Sequence, residues 1–539
     1  MVRVDFGKGG SPGLHTPVGN RSYLLAPEKY LAHFPAVIII LAVTGFRALL
    51  MATNELHVDE AYYWEWSRQL APAYYDQGPG VAFAIRFGTA LFGQTEFGVR
   101  LSALLCGLGV SIIAYGLAWR LFQSTAAGLF TLAFFYLTPL NSLGSILMMH
   151  DSIMYLCWAG LIWAFLAFRE ARDAGRPAPW RWLYVAAVAM GVGLLSKHTM
   201  VLLAPPLLLF LLWYPRERRL FLNPHAWMGL LLACVLVLPL VVWNLAHDFA
   251  GVYAIVHLPT ANPRGRVWHE TLLEFLVSQV FVMSPVVFFL LLWVAIHAVL
   301  RRGERPELRF LAWTMLFMFG FFLVMSFRKS VSANWVVCGY FGATILLGGQ
   351  AAEWWRGGKR WIPVFALGTS TVLVVLGLYP AAMIALTRSL GIQETSIDAL
   401  PKLRLAGGRE MAAALESVRA AHPGSQLGFN EYPAASLMAF YLPDKPQVNV
   451  FNVDARVNQY DFWASPNQHL GKDFVFLHFG DKGPSDGVKA LFDEVELYPA
   501  AEIRRLGVKV WGYRIAVLKG FRGLPPQNRF QEAREMAQP

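Results

Sequence analysis

Charge is scarce in this chain. Only 15% of its 539 residues are Asp, Glu, Lys or Arg, against roughly 25% in ordinary soluble domains. That shortage excludes a string of water-soluble domains. With 56% hydrophobic residues and a mean hydropathy of +0.43, lipid becomes the expected solvent. Cysteine is scarcer still. Cys106, Cys157, Cys234 and Cys338 all fall inside apolar runs, which argues against a disulfide framework and leaves them as small hydrophobes. A continuous basic face is also missing. The net charge of +11 comes from short Arg and Lys clusters between apolar runs. Tracking a nucleic acid needs a contiguous basic surface, so no nucleic-acid partner is expected.

Long apolar runs, by contrast, are plentiful. A spanning helix takes about 20 apolar residues. About eleven such runs can be read, centred near Leu41, Leu108, Phe134, Leu161, Val188, Leu207, Val235, Leu290, Phe317, Thr344 and Val372. The first, residues 34 to 53, is too long for the apolar core of a cleaved leader and lacks a small-residue cleavage site. It is expected to stay as a signal anchor.

Orientation follows from the loops. Arg169, Arg172, Arg176 and Arg181 form one cluster, and Arg216, Arg218 and Arg219 a second. Arg301, Arg302, Arg305 and Arg309 form a third, and Arg356, Lys359 and Arg360 a fourth. Strict alternation of the spans puts all four on one side, which the positive-inside rule makes cytoplasmic, together with Arg21 and Lys29 of the N-terminus. The opposite, non-cytoplasmic side receives residues 54 to 97, the Leu143 to Asp151 turn, the Ser196 to Thr199 turn, residues 247 to 272 and the Phe327 to Asn334 loop. It also receives the tail, where Phe474 to Leu477 and Val508 to Val517 read as strands. The expected fold is mainly α: a polytopic transmembrane helical bundle with juxtamembrane helices and a small C-terminal α/β domain packed on it. Residues 1–33 form the cytoplasmic N-terminal segment, 34–388 the transmembrane domain and 389–539 the periplasmic domain. The 54–97 loop, rich in aromatics and acids, reads as two interfacial helices joined by a Gly-Pro turn, with Asp59 as a helix cap.

Polar groups at membrane depth are costly and usually functional. Here the span centres hold few ionisable groups. Acids, histidines and cations gather instead at the non-cytoplasmic ends: Asp59, Glu60, Asp76, Arg86, Arg100, His150, Asp151, Lys197, His198, His247, Asp248, Arg328 and Lys329. A carboxylate can take a proton from a hydroxyl, while Lys, Arg or His neutralises a phosphate. A base beside a phosphate clamp at a lipid interface is what sugar transfer from a polyprenyl phosphate needs. Each group also has a plainer reading. Asp59 can cap a helix, Asp76 can shape a turn, His150 and Asp151 can start a span, and Lys197 and His198 can snorkel. His247 and Asp248 most simply end a helix. No HExxH or tight ligand spacing is present, so no metal ligands are assigned, and a divalent cation as cofactor is left open.

These residues also carry a family resemblance. The run Asp59-Glu60-Ala61-Tyr62-Tyr63-Trp64 after the first span resembles the first external loop of the bacterial PMT-like glycosyltransferases, relatives of the protein O-mannosyltransferases and of the aminoarabinose transferase of lipid A. The resemblance continues through Tyr75-Asp76-Gln77-Gly78-Pro79, Gly98-Val99-Arg100-Leu101, Ser196-Lys197-His198-Thr199, Met283-Ser284-Pro285 and Asn334-Trp335. It reaches Phe440-Tyr441-Leu442-Pro443 and Asn458-Gln459-Tyr460-Asp461-Phe462-Trp463 in the tail. It implies a GT-C fold and an inverting transfer from a polyprenyl-phosphate sugar to an envelope acceptor such as lipid A, core oligosaccharide, another glycan or a protein, on the periplasmic face of the bacterial inner membrane. Asp59 then matches the family's first-loop acid, with Glu60 beside it. Lys197 and His198 match a loop near the donor phosphate, and Lys329 a basic residue near a substrate head. Three positions depart from the family pattern: Gly78 where a Pro-Pro turn is usual, His150 before Asp151 where Pro is common, and no acid between Lys329 and Asn334. The other classes compatible with the composition are a lipid or solute transporter and a structural subunit. A transporter usually shows internal repeats and broken helices at the midplane, and neither is evident.

Overall fold

The computed structural model describes residues 31–257, 267–301, 303–389, 391, 407–453, 456–463 and 465–524. Arg21, Lys29 and Arg302 lie outside the described residues, with most of the N-terminal segment.

Each of the expected span centres falls in a helix. Among the described residues seven helices are long and apolar enough to cross a membrane, and a bent pair raises the number to eight. That pair, Trp268–Val282 and Pro285–Leu300, turns by 99°. The break sits at the Met283-Ser284-Pro285 run, where Ser284 has φ of 68° and Pro285 opens the next helix. Phe134, Val188 and Leu207 fall in shorter apolar helices, Thr125–Leu137, Arg181–Ser196 and His198–Trp213. At 1.5 Å per residue, 13 residues reach about 20 Å, short of a hydrocarbon core of about 30 Å. The first of these continues after Thr138 into Pro139–Gly144, and the third begins as a 3-10 turn.

One end of the bundle is tied by ion pairs. Arg169 meets Glu217 at 2.9 Å and Glu307 at 2.6 Å, and Arg172 meets Glu217 at 2.8 Å. Three of the arginine-rich connections therefore converge at that end, as strict alternation requires.

At the other end the 54–97 loop forms two helices, Val58–Arg68 and Gly80–Phe92. The cap of the first is His57 rather than the expected Asp59. The His57 ring accepts from the Asp59 N–H at 3.2 Å, and the Glu60 carboxylate returns to the His57 N–H at 2.9 Å. Asp59 thus sits two positions past the cap, inside the first turn of the helix.

The tail folds as a six-stranded sheet in the order β2-β1-β3-β6-β4, with β5 also on β6. β1 (Gln426–Phe429), β2 (Asn449–Val450) and β3 (Phe474–Phe479) run parallel. β6 (Val508–Lys519) runs antiparallel to β3, β4 (Glu494–Leu497) and β5 (Ala501–Arg505). Helix Tyr432–Tyr441 lies between this sheet and the Val58–Arg68 helix, so Trp64, Trp66, Leu437, Met438 and Phe440 share one core. The seat is also polar. Tyr441 Oη accepts from the Leu56 N–H at 2.6 Å, Glu55 accepts from the Gly408 N–H at 2.7 Å, and Arg68 donates to the Lys445 and Pro446 carbonyls.

Candidate active site

A cavity of about 1190 Å³ opens where the juxtamembrane helix, the ends of several spans and the sheet domain meet. Asp59, Asp76, His150, Asp151, Lys197, His198 and Lys329 all line it. Residues more than 250 positions apart in sequence are thus brought to one wall.

The wall is a nearly continuous belt of hydrogen bonds. Tyr432 Oη donates to Asp59 Oδ1 at 3.3 Å, and Arg456 donates to Tyr432 Oη at 3.4 Å. Arg456 also pairs with Asp76 Oδ1 at 3.2 Å, while Tyr62 Oη donates to Asp76 Oδ2 at 2.8 Å. The next residue, Gln77, meets the His198 ring at 3.1 Å. Lys197 then grips both oxygens of Asp151 at 2.8 and 3.0 Å, and Asn334 Nδ2 donates to Asp151 at 3.2 Å.

Burial, reinforced by Asp59, pushes the Tyr432 hydroxyl well above its usual range, so it stays a donor to that carboxylate. Burial likewise raises the Asp76 carboxyl, against the pull of Arg456 and Tyr62. Lys329 is different. It is 7% exposed, lines the cavity and has no side-chain partner among the described residues. Desolvation lowers its amine below the ordinary lysine range. An unpaired, buried ammonium facing a cavity is a ready seat for an anion.

Gly78 explains one departure from the family pattern. A Cβ there would lie 2.1 Å from the Leu195 carbonyl oxygen, so a side chain, proline included, cannot be fitted without moving the loop off the Arg181–Ser196 helix. That close approach brings Gln77 to His198.

Four expected site residues lie elsewhere. Glu60 is fully buried and points away from the cavity. Its oxygens take Arg100 Nε and Nη2 at 2.8 and 2.6 Å, the Met148 N–H at 2.8 Å and the His57 N–H. Successive helical residues differ by about 100° in direction, which separates Glu60 from its neighbour Asp59. Arg100 is consumed by the same pair and by the carbonyls of Met51, Asn54 and Glu55. Both are structural here, against the expectation of a catalytic acid and a substrate-binding cation. Arg86 and Arg328 are exposed and do not line the cavity. Helix Gly80–Phe92 turns its Val81, Ala82 and Ile85 inward instead, and Lys329 takes the inward position in its loop.

Two members of the hydrogen-bonded belt, Tyr432 and Arg456, are not singled out by the sequence. Nothing in the charge pattern marks them. The nearest signal was the Asn458 to Trp463 run, which proves to brace the site: the Gln459 N–H donates to Tyr62 Oη at 2.7 Å and its side chain accepts from the Tyr75 N–H at 2.7 Å. Among the described residues no three His, Cys, Asp or Glu side chains converge as metal ligands.

Residues 76–243 match the family described as dolichyl-phosphate-mannose-protein mannosyltransferase. The chain is 26% identical over 313 residues to the lipid A galacturonosyltransferase RgtD of Rhizobium johnstonii, covering 58% of this chain and 64% of that relative, just under two thirds of its length. Its fold matches the crystal structure of ArnT from Cupriavidus metallidurans in the apo state, with a TM-score of 0.62 and 17% identity over 92% of this chain and 100% of the other. ArnT from the same organism bound to undecaprenyl phosphate matches with a TM-score of 0.60 and 17% identity over 91% and 98%. In fold the chain is thus similar to ArnT over nearly all its length, and in sequence the stretch carrying Asp76, Asp151 and Lys197 matches the dolichyl-phosphate-mannose-protein mannosyltransferase family model.

Proposed function

We propose that this protein is an inverting glycosyltransferase that moves a sugar from a polyprenyl-phosphate donor to lipid A, core oligosaccharide or another envelope acceptor, at the periplasmic face of the bacterial inner membrane. One observation carries the reading: Asp59, held by Tyr432, and the unpaired Lys329 line the same cavity.

In this reading the acceptor hydroxyl enters beside Asp59, which takes its proton as the oxygen attacks the anomeric carbon. The bond to the lipid phosphate breaks on the opposite face of the sugar. Phosphate is already a good leaving group, so stabilising its charge replaces protonation. Lys329 supplies that charge directly, while Lys197, His198 and Arg456 add donors from the same wall. If the acceptor is itself a phosphate it arrives as an anion, and Asp59 orients it instead. RgtD's name supports lipid A as acceptor, and the ArnT complex supports an undecaprenyl-type lipid phosphate as donor carrier. The arginine-rich end, opposite the sheet domain, supports the periplasmic assignment through the positive-inside rule.

The test is transfer in proteoliposomes. Asp59→Asn should lower turnover by roughly 100-fold or more while the protein stays monodisperse. Full turnover by that variant would remove Asp59 from the mechanism.

A further inference from the structure

A further buried cation, Arg47, sits directly behind the cavity wall, and the reaction above does not use it. Arg47 sits in the apolar helix Phe34–Thr53, which carries no other charge. Its position six residues before the helix end puts it roughly 9 Å inside the bundle. A guanidinium at such a place is costly and normally matched by a carboxylate. The other buried arginines obey that rule: Arg100 is paired with Glu60, and Arg169 with Glu217 and Glu307.

Arg47 does not. It is 6% exposed, and no carboxylate pairs with it among the described residues. Its partners are the Asn141 carbonyl at 3.3 Å and the face of the Tyr136 ring at 5.0 Å. One carbonyl satisfies one of a guanidinium's five donors. A purely structural role, bracing the break before Pro139–Gly144, leaves the other four unexplained.

The unexplained donors lie next to the cavity. Asn141, which accepts from Arg47, is a lining residue, and so is Gly107. A Cβ on Gly107 would lie 3.4 Å from Arg47 Nη1, so only a glycine stands between that nitrogen and the cavity. Ala103, Gly107 and Val110 share one face of their helix and line an apolar lobe together with Phe135, Leu140 and Gly377. The lobe therefore suits an apolar chain, with the planar cation of Arg47 set just behind it at Gly107.

We propose that Arg47 forms a second anion subsite, at the inner lobe of the cavity, for a phosphate borne on a lipid. A guanidinium fork matches two phosphate oxygens, and in a low-dielectric wall it favours such a partner strongly. The phosphate belongs either to the polyprenyl carrier or to a phosphorylated lipid acceptor. This deepens the proposed function and rests on its reading of the cavity as a site for lipid phosphates.

Equilibrium binding by the full chain in nanodiscs tests it, with undecaprenyl phosphate, undecaprenol and bisphosphorylated lipid A as probes. Arg47→Met should weaken one of the two phosphorylated lipids by about tenfold and leave undecaprenol unchanged; the lipid affected names the source of the phosphate. Arg47→Lys, which keeps the charge and the fold but loses the fork, should fall between the two. Wild-type affinity of both variants for both phosphorylated lipids overturns the subsite and leaves the proposed function standing. Failure of the wild-type protein to bind either phosphorylated lipid overturns both.

Discussion

The Tyr432 hydroxyl, carried by the C-terminal sheet domain, donates to Asp59 Oδ1 on the juxtamembrane helix at 3.3 Å. Among the described residues the Asp59 carboxylate otherwise meets the His57 ring, at 3.5 Å, so these two contacts orient it. A hydrogen bond to a charged group contributes about 1.5–3 kcal/mol. Tyr432→Phe should therefore slow transfer by about tenfold or more without lowering the melting temperature appreciably. Steady-state turnover alongside a thermal melt checks it; unchanged turnover would detach the domain from the chemistry.

Glu60 and Arg100 make the opposite prediction. The pair is sealed at 0% and 1% side-chain exposure, and removing one partner strands the other. Breaking a buried pair costs about 3–5 kcal/mol. Glu60→Ala should lower the unfolding temperature sharply. Rescue of folding by lipid or by low temperature should restore turnover, because neither residue touches the cavity.

Lys329 gives a pH signature. Burial favours its neutral form and lowers its amine from the ordinary lysine range. Raising the pH therefore discharges it earlier than an exposed lysine, and lipid-phosphate affinity should fall on the alkaline side correspondingly early. Lys329→Arg should carry that fall to higher pH. Holding this charge in a buried site opposes folding at neutral pH, so Lys329→Met should melt no lower than wild type while binding more weakly. A titration of binding against pH, for all three proteins, reads both effects.

Gly78→Ala tests the turn. Its new methyl would overlap the Leu195 carbonyl oxygen, pushing Asp76 and Gln77 away from the end of the Arg181–Ser196 helix. Loss of transfer with retained expression is expected. Wild-type turnover would mean that the loop has room to move and that the Gln77 to His198 contact is dispensable.

Hydropathy made the bundle legible, because a span's length and apolarity are written in consecutive residues. It also placed Asp59, Lys197 and Lys329 at span ends on one side, and the structure joins them in one cavity. Four things stayed hidden. Asp59 and Glu60 are adjacent in sequence and chemically alike, and only the helix rotation separates the cavity-facing acid from the buried one. Arg86 and Arg328 looked as useful as Lys329, since a loop's turn decides which cation points inward. Tyr432 and Arg456 lie in a soluble domain whose composition gives no hint that its edge reaches the membrane surface. Arg47 was passed over because one charge barely alters the hydropathy of a long apolar run.

The seating of the sheet domain on the Val58–Arg68 helix has a consequence for how such proteins diversify. With Tyr432 and Arg456 on the tail and Asp59 and Lys329 on the bundle, no single segment owns the reaction chamber. Grafting the tail of one relative onto the bundle of another would transplant chemistry along with shape, and only tails that bring their own match for Asp59 would inherit a working chamber.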